Sequence, residues 1–308
     1  MMTALVTGSS GQDGAYLSEH LQQNDCRVVG IDRQASGVAL ADAASVLRLL
    51  NDVRPDEIYH LAAFHHSAQD KLTNDLEIYT NSHALHTQAT ANLLEGMKRV
   101  CPASRLFFAA SCHLYGAPQT PIQDEETPFN PTGVYGITKL AGLHLCRYYR
   151  RQHNVFAAVG ILYNHESPRR RPEFVSQKIV QAAVAIAGRR QDKLVLGDLN
   201  AEIDWGFAGD YVEAMRLILQ LPVAEDFVIS SGETHTVREF ATEAFRLVDL
   251  DWQEFVHEDP TLLRNPQRTR LSGNNAKLRR LTGWKPRTSF TELVRLMVTT
   301  ELKQHGRS

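Results

Sequence analysis

Two short stretches carry the residue types that a proton-coupled oxidation needs. Tyr135-Gly-Ile-Thr-Lys139 sets a phenol and an ammonium four residues apart, so that on a helix they share one face. An ammonium there stabilises a tyrosinate and lowers the phenol's pKa, which makes Tyr135 an acid/base for a hydroxyl that is losing or gaining hydride. Ala110-Ser111-Cys112-His113 comes directly off the apolar run Arg105-Leu-Phe-Phe-Ala109, a strand end that gathers a hydroxyl, a thiol and an imidazole. A third stretch, Gly8-Ser-Ser-Gly11-Gln12-Asp13-Gly14, lies at a strand-to-helix junction. Glycines at this spacing let the backbone turn tightly and approach a pyrophosphate, whose charge the helix N-terminus favours. Asp32 closes the second apolar run and suits the ribose hydroxyls of NAD, whereas Arg33 after it suits the 2′-phosphate of NADP, and the choice stays open.

Elements must hold these groups together. The runs Thr3-Ala-Leu-Val-Thr7, Arg27-Val-Val-Gly-Ile31, Glu57-Ile-Tyr-His-Leu61-Ala62 and Leu106-Phe-Phe-Ala109 read as short buried strands. Helical patterns alternate with them: Ala15 to Gln22 (a helix beginning near Ala15), Ala43 to Leu50, His83 to Met97 and Val134 to Gln152. That alternation predicts a doubly wound α/β fold, a parallel sheet covered on both faces. Pro118, Pro121, Pro128 and Pro131 mark a loop leaving the sheet's carboxyl edge, where ligands bind in this class. A further strand is expected from Val155 to Leu162. The division expected is a dinucleotide-binding domain over 1–163, rejoined by 206–232 with Phe227-Val-Ile-Ser230 returning to the sheet, and a smaller substrate-binding C-terminal lobe over 164–205 and 233–308.

Composition narrows the function. The 308 residues are 43% hydrophobic and 22% charged, and 33 basic against 35 acidic residues leave a formal charge of −2. One or two domains with a real core follow, with no field to hold nucleic acid or an anionic membrane. No apolar stretch approaches the roughly 18 residues that span a bilayer, and the N-terminus lacks a basic n-region, so a cytoplasmic protein is expected. Cys26, Cys101, Cys112 and Cys146 are too scattered for a disulfide framework or a zinc site. His60, His65, His66 and His113 fit no metal-ligand spacing, and no metal is expected. A Cys112-His113 nucleophile pair is disfavoured, because neighbours at a strand end point apart and Tyr135 with Lys139 would go unexplained.

Taken together, the glycine turn, Ser111, Tyr135 and Lys139 resemble the extended short-chain dehydrogenase/reductase family over essentially the whole chain. Within it the likeness is greatest to the GDP-mannose 4,6-dehydratases, through "TGSSGQDGAYLSEHL", "PDEIYHLAA", "GILYNHESPRR", "FVSQKI", "DWGFAGDYVEAM", "SGETHTVREF" and "GWKP". The resemblance implies NADP or NAD held by Gly8, Gly11, Gln12, Asp13, Gly14, Asp32, Arg33, Leu61, Ala62, Ala63, Tyr135 and Lys139. It implies a GDP-linked hexose held by Asn164, Arg169, Val175, Lys178 and Arg264, and a homodimer or dimer of dimers. Tyr135 would take the proton of the C4 hydroxyl with Ser111 and Lys139 in support, and a base would remove the C5 proton while water leaves C6. Three departures stand out: His113 where the dehydratases carry the Glu base, Ile203 where an Arg usually meets the pyrophosphate, and a short segment after the second strand. Imidazole can take the C5 proton and return one to the leaving hydroxyl. Arg169, Arg170, Arg171 or Arg268 can replace the missing phosphate contact. The shared frame also admits a GDP-4-keto-6-deoxy-hexose 4-reductase, or a nucleotide-sugar-binding protein that has lost catalysis.

Overall fold

Residues 1–32, 37–64, 74–262 and 270–305 are described by the structure, a computed structural model. Each apolar run forms a strand and each periodic stretch a helix. In chain order these are β1 (Thr3–Thr7), α1 (Gln12–Gln22), β2 (Arg27–Ile31), α2 (Ala43–Val53) and β3 (Glu57–His60). Next, α3 (Asp75–His83) passes through a π-turn at Ala84–Gln88 into α4 (Ala89–Val100), followed by β4 (Arg105–Ser111), α5 (Val134–His153) and β5 (Phe156–Leu162). The remainder comprises β6 (Asn164–Glu166), α6 (Val175–Ala187), β7 (Leu194–Leu196), β8 (Glu202–Phe207), α7 (Ala208–Gln220), β9 (Asp226–Ile229), β10 (Thr234–Thr236), α8 (Val237–Arg246), α9 (Trp252–Phe255), β11 (Val256–Glu258), α10 (Ala276–Thr282) and α11 (Phe290–Gln304).

Six strands form one sheet in the order β2-β1-β3-β4-β5-β9, every pair parallel. This is the doubly wound, Rossmann-type architecture. Strand order reverses between β1 and β3, so a crevice opens at their carboxyl ends. Because side chains alternate across a strand, Leu5, Ile58, Leu106 and Phe108 face one way, against Leu50, Leu93, Leu94 and Leu143 of α2, α4 and α5. Ala4, Val6, Tyr59 and Phe107 face the other way, against Leu17 and Leu21 of α1 and Tyr211, Met215 and Ile218 of α7. A third core gathers α6, α8 and α11 around Trp205, Phe240, Val294 and Met297. It is accompanied by a three-stranded sheet, β10-β8-β6, and the pair β11-β7.

Three readings of the sequence are corrected. Helix α1 begins at Gln12 rather than near Ala15, which puts Gln12, Asp13 and Gly14 in its first turn. The long helix expected from His83 begins at Asp75, where the Asn74 side chain accepts from the Leu76 amide at 2.9 Å; only Ser82 of α3 is buried, so no apolar stripe announces it. Part of the 233–308 segment packs on the main sheet. Leu278 and Trp284 join the core with α7, and Trp284 Nε1 donates to the Asp210 carbonyl at 2.9 Å. Among the described residues, no helix is long and apolar enough to cross a membrane.

Phe108 is the floor of the site: its ring lies 5.8 Å from that of His60 and 5.1 Å below the Lys139 ammonium. Phe108→Ala is expected to cost about 3–5 kcal/mol, read as a lowered urea midpoint.

Candidate active site

The glycine turn is shaped by backbone contacts. The Gly8 amide donates to the Ile31 carbonyl at 2.7 Å, and the Gly11 amide to the Gly8 carbonyl at 3.0 Å. Gly8 has φ +75°, and a Cβ there would lie 2.9 Å from Ala62 Cα; a Cβ on Gly14 would strike the Gly8 carbonyl oxygen and lie 2.6 Å from Ser9 Cα. No side chain caps α1, so its first amides have no partner within the helix and form an anion site. A cradle that any Cβ would fill, ending at an uncapped helix, fits a dinucleotide pyrophosphate. The opposite wall follows β3. The Leu61 amide donates to the Thr7 carbonyl at 3.2 Å and the Ala62 amide to Thr7 Oγ1 at 3.3 Å, with Ala63 half-buried after them. Asp32 lies directly beyond β2, and Arg33 lies outside the described residues.

The Asp13 side chain is engaged elsewhere. His165 Nε2 donates to its carboxylate at 2.9 Å and His165 Nδ1 donates to the Tyr163 carbonyl at 2.7 Å. Both partners are acceptors, so both ring nitrogens carry protons and His165 is an imidazolium. Burial alone would lower its pKa, but Asp13 outweighs burial and raises it. Burial likewise works against the Asp13 carboxylate, yet His165, Gln12 and Arg170 bring it down to about 2. Gln12 joins the pair, donating to the His165 carbonyl at 3.0 Å and accepting from Ser167 Oγ at 2.8 Å. The turn is thereby tied to residues over 150 positions away.

Ser111, His113, Tyr135 and Lys139 meet at the carboxyl edge. Ser111 ends β4, and its Oγ accepts from the His113 amide at 3.3 Å, starting a single 3-10 turn. That turn brings the His113 ring edge-on to Tyr135, centroids 5.9 Å apart and planes at 87°. Crowding around the His113 imidazole lowers its pKa, although one side of the residue opens to solvent. Lys139 is 1% exposed; its Nζ donates to the Ala109 carbonyl at 2.6 Å and lies 5.9 Å from the centre of the Tyr135 ring. Burial brings the Lys139 ammonium down to about 7, Asp13 countering only in part. The Tyr135 phenol is pushed up by burial, with Cys112 adding to the rise and Arg170 opposing it. Lowering of the phenol by Lys139 is therefore not a property of the protein alone, because burial dominates.

Other residues take different places. The Cys112 thiol is buried and pushed up to about 12, with Asn164 Oδ1 4.0 Å from its sulfur, so it is no nucleophile at neutral pH. Arg169 pairs with Glu19 at 2.6 Å over the Tyr16 ring, which turns it onto α1. Arg170 is instead the arginine whose charge acts on both Tyr135 and Asp13, while its Nε stands 3.0 Å from Glu166. Only its place in the basic run pointed to it. Val175 opens α6, and Lys178 one turn on donates to the Val195 carbonyl at 3.2 Å. Ile203 packs on the third core. His60 has both ring nitrogens bonded, to Thr7 and to the Leu85 carbonyl. Arg264, Arg268, His65 and His66 lie outside the described residues, among which no three His, Cys, Asp or Glu converge on a metal position.

The architecture is shared with a structure titled RMD from Pseudomonas aeruginosa complexed with NADPH, at a TM-score of 0.83 and 22% identity over 99% of this chain and 100% of that one. This likeness establishes the fold. The family model for GDP-mannose 4,6 dehydratase matches residues 37–297. GDP-mannose 4,6 dehydratase 1 of Arabidopsis thaliana is 36% identical over 97% of this chain and 90% of its own, and the human GDP-mannose 4,6 dehydratase 35% identical over 97% and 91%. The chain belongs to the GDP-mannose 4,6-dehydratase family.

Two charges can be tested in the protein alone. Asp13 contributes stability above its unfolded value of 3.8 and loses it as pH falls towards about 2; His165 contributes below 6.5 and loses it as pH rises through its raised folded value. Asp13→Asn is expected to cost about 1–3 kcal/mol in the window where both contribute, above the unfolded Asp pKa and below that of His, and to lower the His165 pKa followed by NMR. Lys139 has the opposite sign, since its folded value is below 10.5. Burying it as a cation opposes folding at neutral pH, so Lys139→Met is expected to gain on the order of 2–4 kcal/mol there, the gain shrinking towards about pH 10 in urea titrations.

Proposed function

We propose that the chain is a GDP-hexose 4,6-dehydratase using NADP or NAD, with His113 as the base that removes the C5 proton. The observation that carries this reading is the edge-on pairing of His113 with Tyr135, 5.9 Å between centroids, at the carboxyl edge beside Ser111. Family membership supports the substrate class, and the turn at Gly8, Gly11 and Gly14 with the uncapped start of α1 supports the dinucleotide. The wall at Leu61, Ala62 and Ala63 would lie along it, and Asp32 and Arg33 would choose between NAD and NADP. When bound, the nicotinamide supplies the hydride acceptor for C4 and the donor back to C6, together with a positive charge that favours ionised phenol.

The protein's own groups move the protons. Tyr135 takes the C4 hydroxyl proton while Ser111 donates to the oxygen becoming a carbonyl. Lys139, its ammonium brought down to about 7 by burial, holds positive charge under the phenol. A C4 ketone acidifies the C5 hydrogen, which His113 removes as a neutral imidazole. The imidazolium then protonates the hydroxyl leaving C6, so one water departs; as C6 regains hydride, a solvent-derived proton reaches C5 through His113 and Tyr135 releases the proton it took from the C4 hydroxyl, which returns both groups to their starting states. Crowding that lowers the His113 pKa keeps it neutral at working pH and prompts it to release the proton it takes. Asn164, Arg170, Val175 and Lys178 are proposed to line the nucleotide-sugar path, with Arg170 replacing the charge absent at Ile203. Arg169 is proposed to act only if released from Glu19, and Arg264 to contact the base or phosphates of the nucleotide.

GDP-mannose incubated in heavy water with the protein and catalytic NADP or NAD, then analysed by mass spectrometry, should lose one water and take up deuterium at C5. His113→Ala should slow elimination about 100- to 10,000-fold. Elimination should also fall on the acid side only below the ordinary histidine range, since His113 must be neutral. Unchanged GDP-mannose would reject the reading, and stoichiometric NAD(P)H consumption with a 4-keto-6-deoxy sugar would replace it with the reductase.

A further inference from the structure

We propose that His86 and Thr138 are positioning residues that fix the plane of the Tyr135 ring and join it to the wall against which the glycine turn packs. This deepens the reading of Tyr135 as the acid/base and rests on it. His86 sits in the π-turn between α3 and α4 and is fully buried. Such a turn carries an extra residue within a helix and recurs at functional sites. The Phe64 amide donates to His86 Nε2 at 3.0 Å, so that nitrogen bears no proton. Nδ1 therefore carries it and donates to Thr138 Oγ1 at 2.8 Å. The Thr138 hydroxyl passes its own proton to the Val134 carbonyl at 3.0 Å or the Tyr135 carbonyl at 3.2 Å. One directed chain of bonds thus runs from the backbone after β3, through an imidazole, to the first turn of α5.

The same imidazole meets the Tyr135 ring edge-on, with centroids 5.0 Å apart and planes at 82°. His113 meets that ring at 87° but is open to solvent and must change protonation in the proposed reaction. His86, held at both nitrogens, is the contact that stays constant through the cycle. Neither His86 nor Thr138 touches the reacting atoms, so their effect passes through Tyr135. Because Phe64 follows Leu61, Ala62 and Ala63, a shift of that wall is transmitted to the phenol.

Thr138→Val removes the hydroxyl and keeps the shape, while Thr138→Ser restores the hydroxyl; both are made in the full chain labelled with tyrosine carrying carbon-13 at Cζ. The Tyr135 resonance is identified by its loss in Tyr135→Phe. It is expected to be single in the unaltered protein and in Thr138→Ser, and shifted or split in Thr138→Val. With GDP-mannose, kcat should fall roughly 10- to 100-fold in Thr138→Val with KM within about twofold, and recover in Thr138→Ser. Should the valine variant not fold, His86→Gln, which can still accept from Phe64 but presents no ring edge to Tyr135, carries the same spectroscopic expectation. An unmoved Tyr135 resonance in the folded variants, or a serine variant that behaves as the valine one does, overturns the proposal. Absence of GDP-mannose turnover by the unaltered protein would instead overturn the dehydratase reading, and the resonance would still decide the role of His86 and Thr138.

Discussion

The site depends on keeping one ammonium in an apolar interior. Lys139 has the Ala109 carbonyl for a close partner and the faces of Phe108 and Tyr135 around it. A buried cation of this kind disfavours a charge on the imidazole beside it. His60 accepts from Thr7 and donates to Leu85, which fits a neutral ring, and burial with the adjacent Lys139 brings it down to about 3. His86, accepting from the Phe64 amide, is neutral for the same geometric reason. The imidazolium of His165 is placed against Asp13, so its charge is cancelled where it arises. In the proposed reaction, the stability given up at Lys139 holds a charge where the phenol uses it.

Much of this was legible in the chain, for identifiable reasons. A parallel sheet covered on both faces needs near-continuous apolar strands, and β1 and β2 coincide with the runs read from sequence because nothing else competes for those residues. Tyr135 and Lys139 share a helix face by spacing alone, and Ser111 and His113 are locally linked by one turn. What escaped the reading depends on pairs remote in sequence. Asp13 with His165, and His86 with Thr138, are separated by 152 and 52 residues, and no local pattern marks either. The π-turn is invisible to a 3.6-residue period because it breaks that period. Arg169 and Arg170 are neighbours of the same type, and only the position of Glu19 at the surface of α1 decides which one turns away.

In the proposed reaction, an imidazole at position 113 instead of a carboxylate alters the charge changes. A carboxylate base begins as an anion and becomes neutral when it takes the C5 proton; an imidazole begins neutral and becomes a cation. The Arg170 charge acts on Tyr135, and the Lys139 amine lies 5.9 Å from the centre of its ring. Nearby positive charge lowers the basicity of either kind of base, by stabilising a carboxylate or by disfavouring an imidazolium. Protein surroundings that disfavour imidazolium make His113 a weaker acceptor of the C5 proton and a stronger donor to the departing C6 hydroxyl. In the proposed reaction, the ordinary histidine pKa lies above that of a carboxylic acid, so an imidazole at position 113 begins as the stronger base towards the C5 hydrogen, and burial limits how firmly it holds that proton before passing it to the C6 hydroxyl.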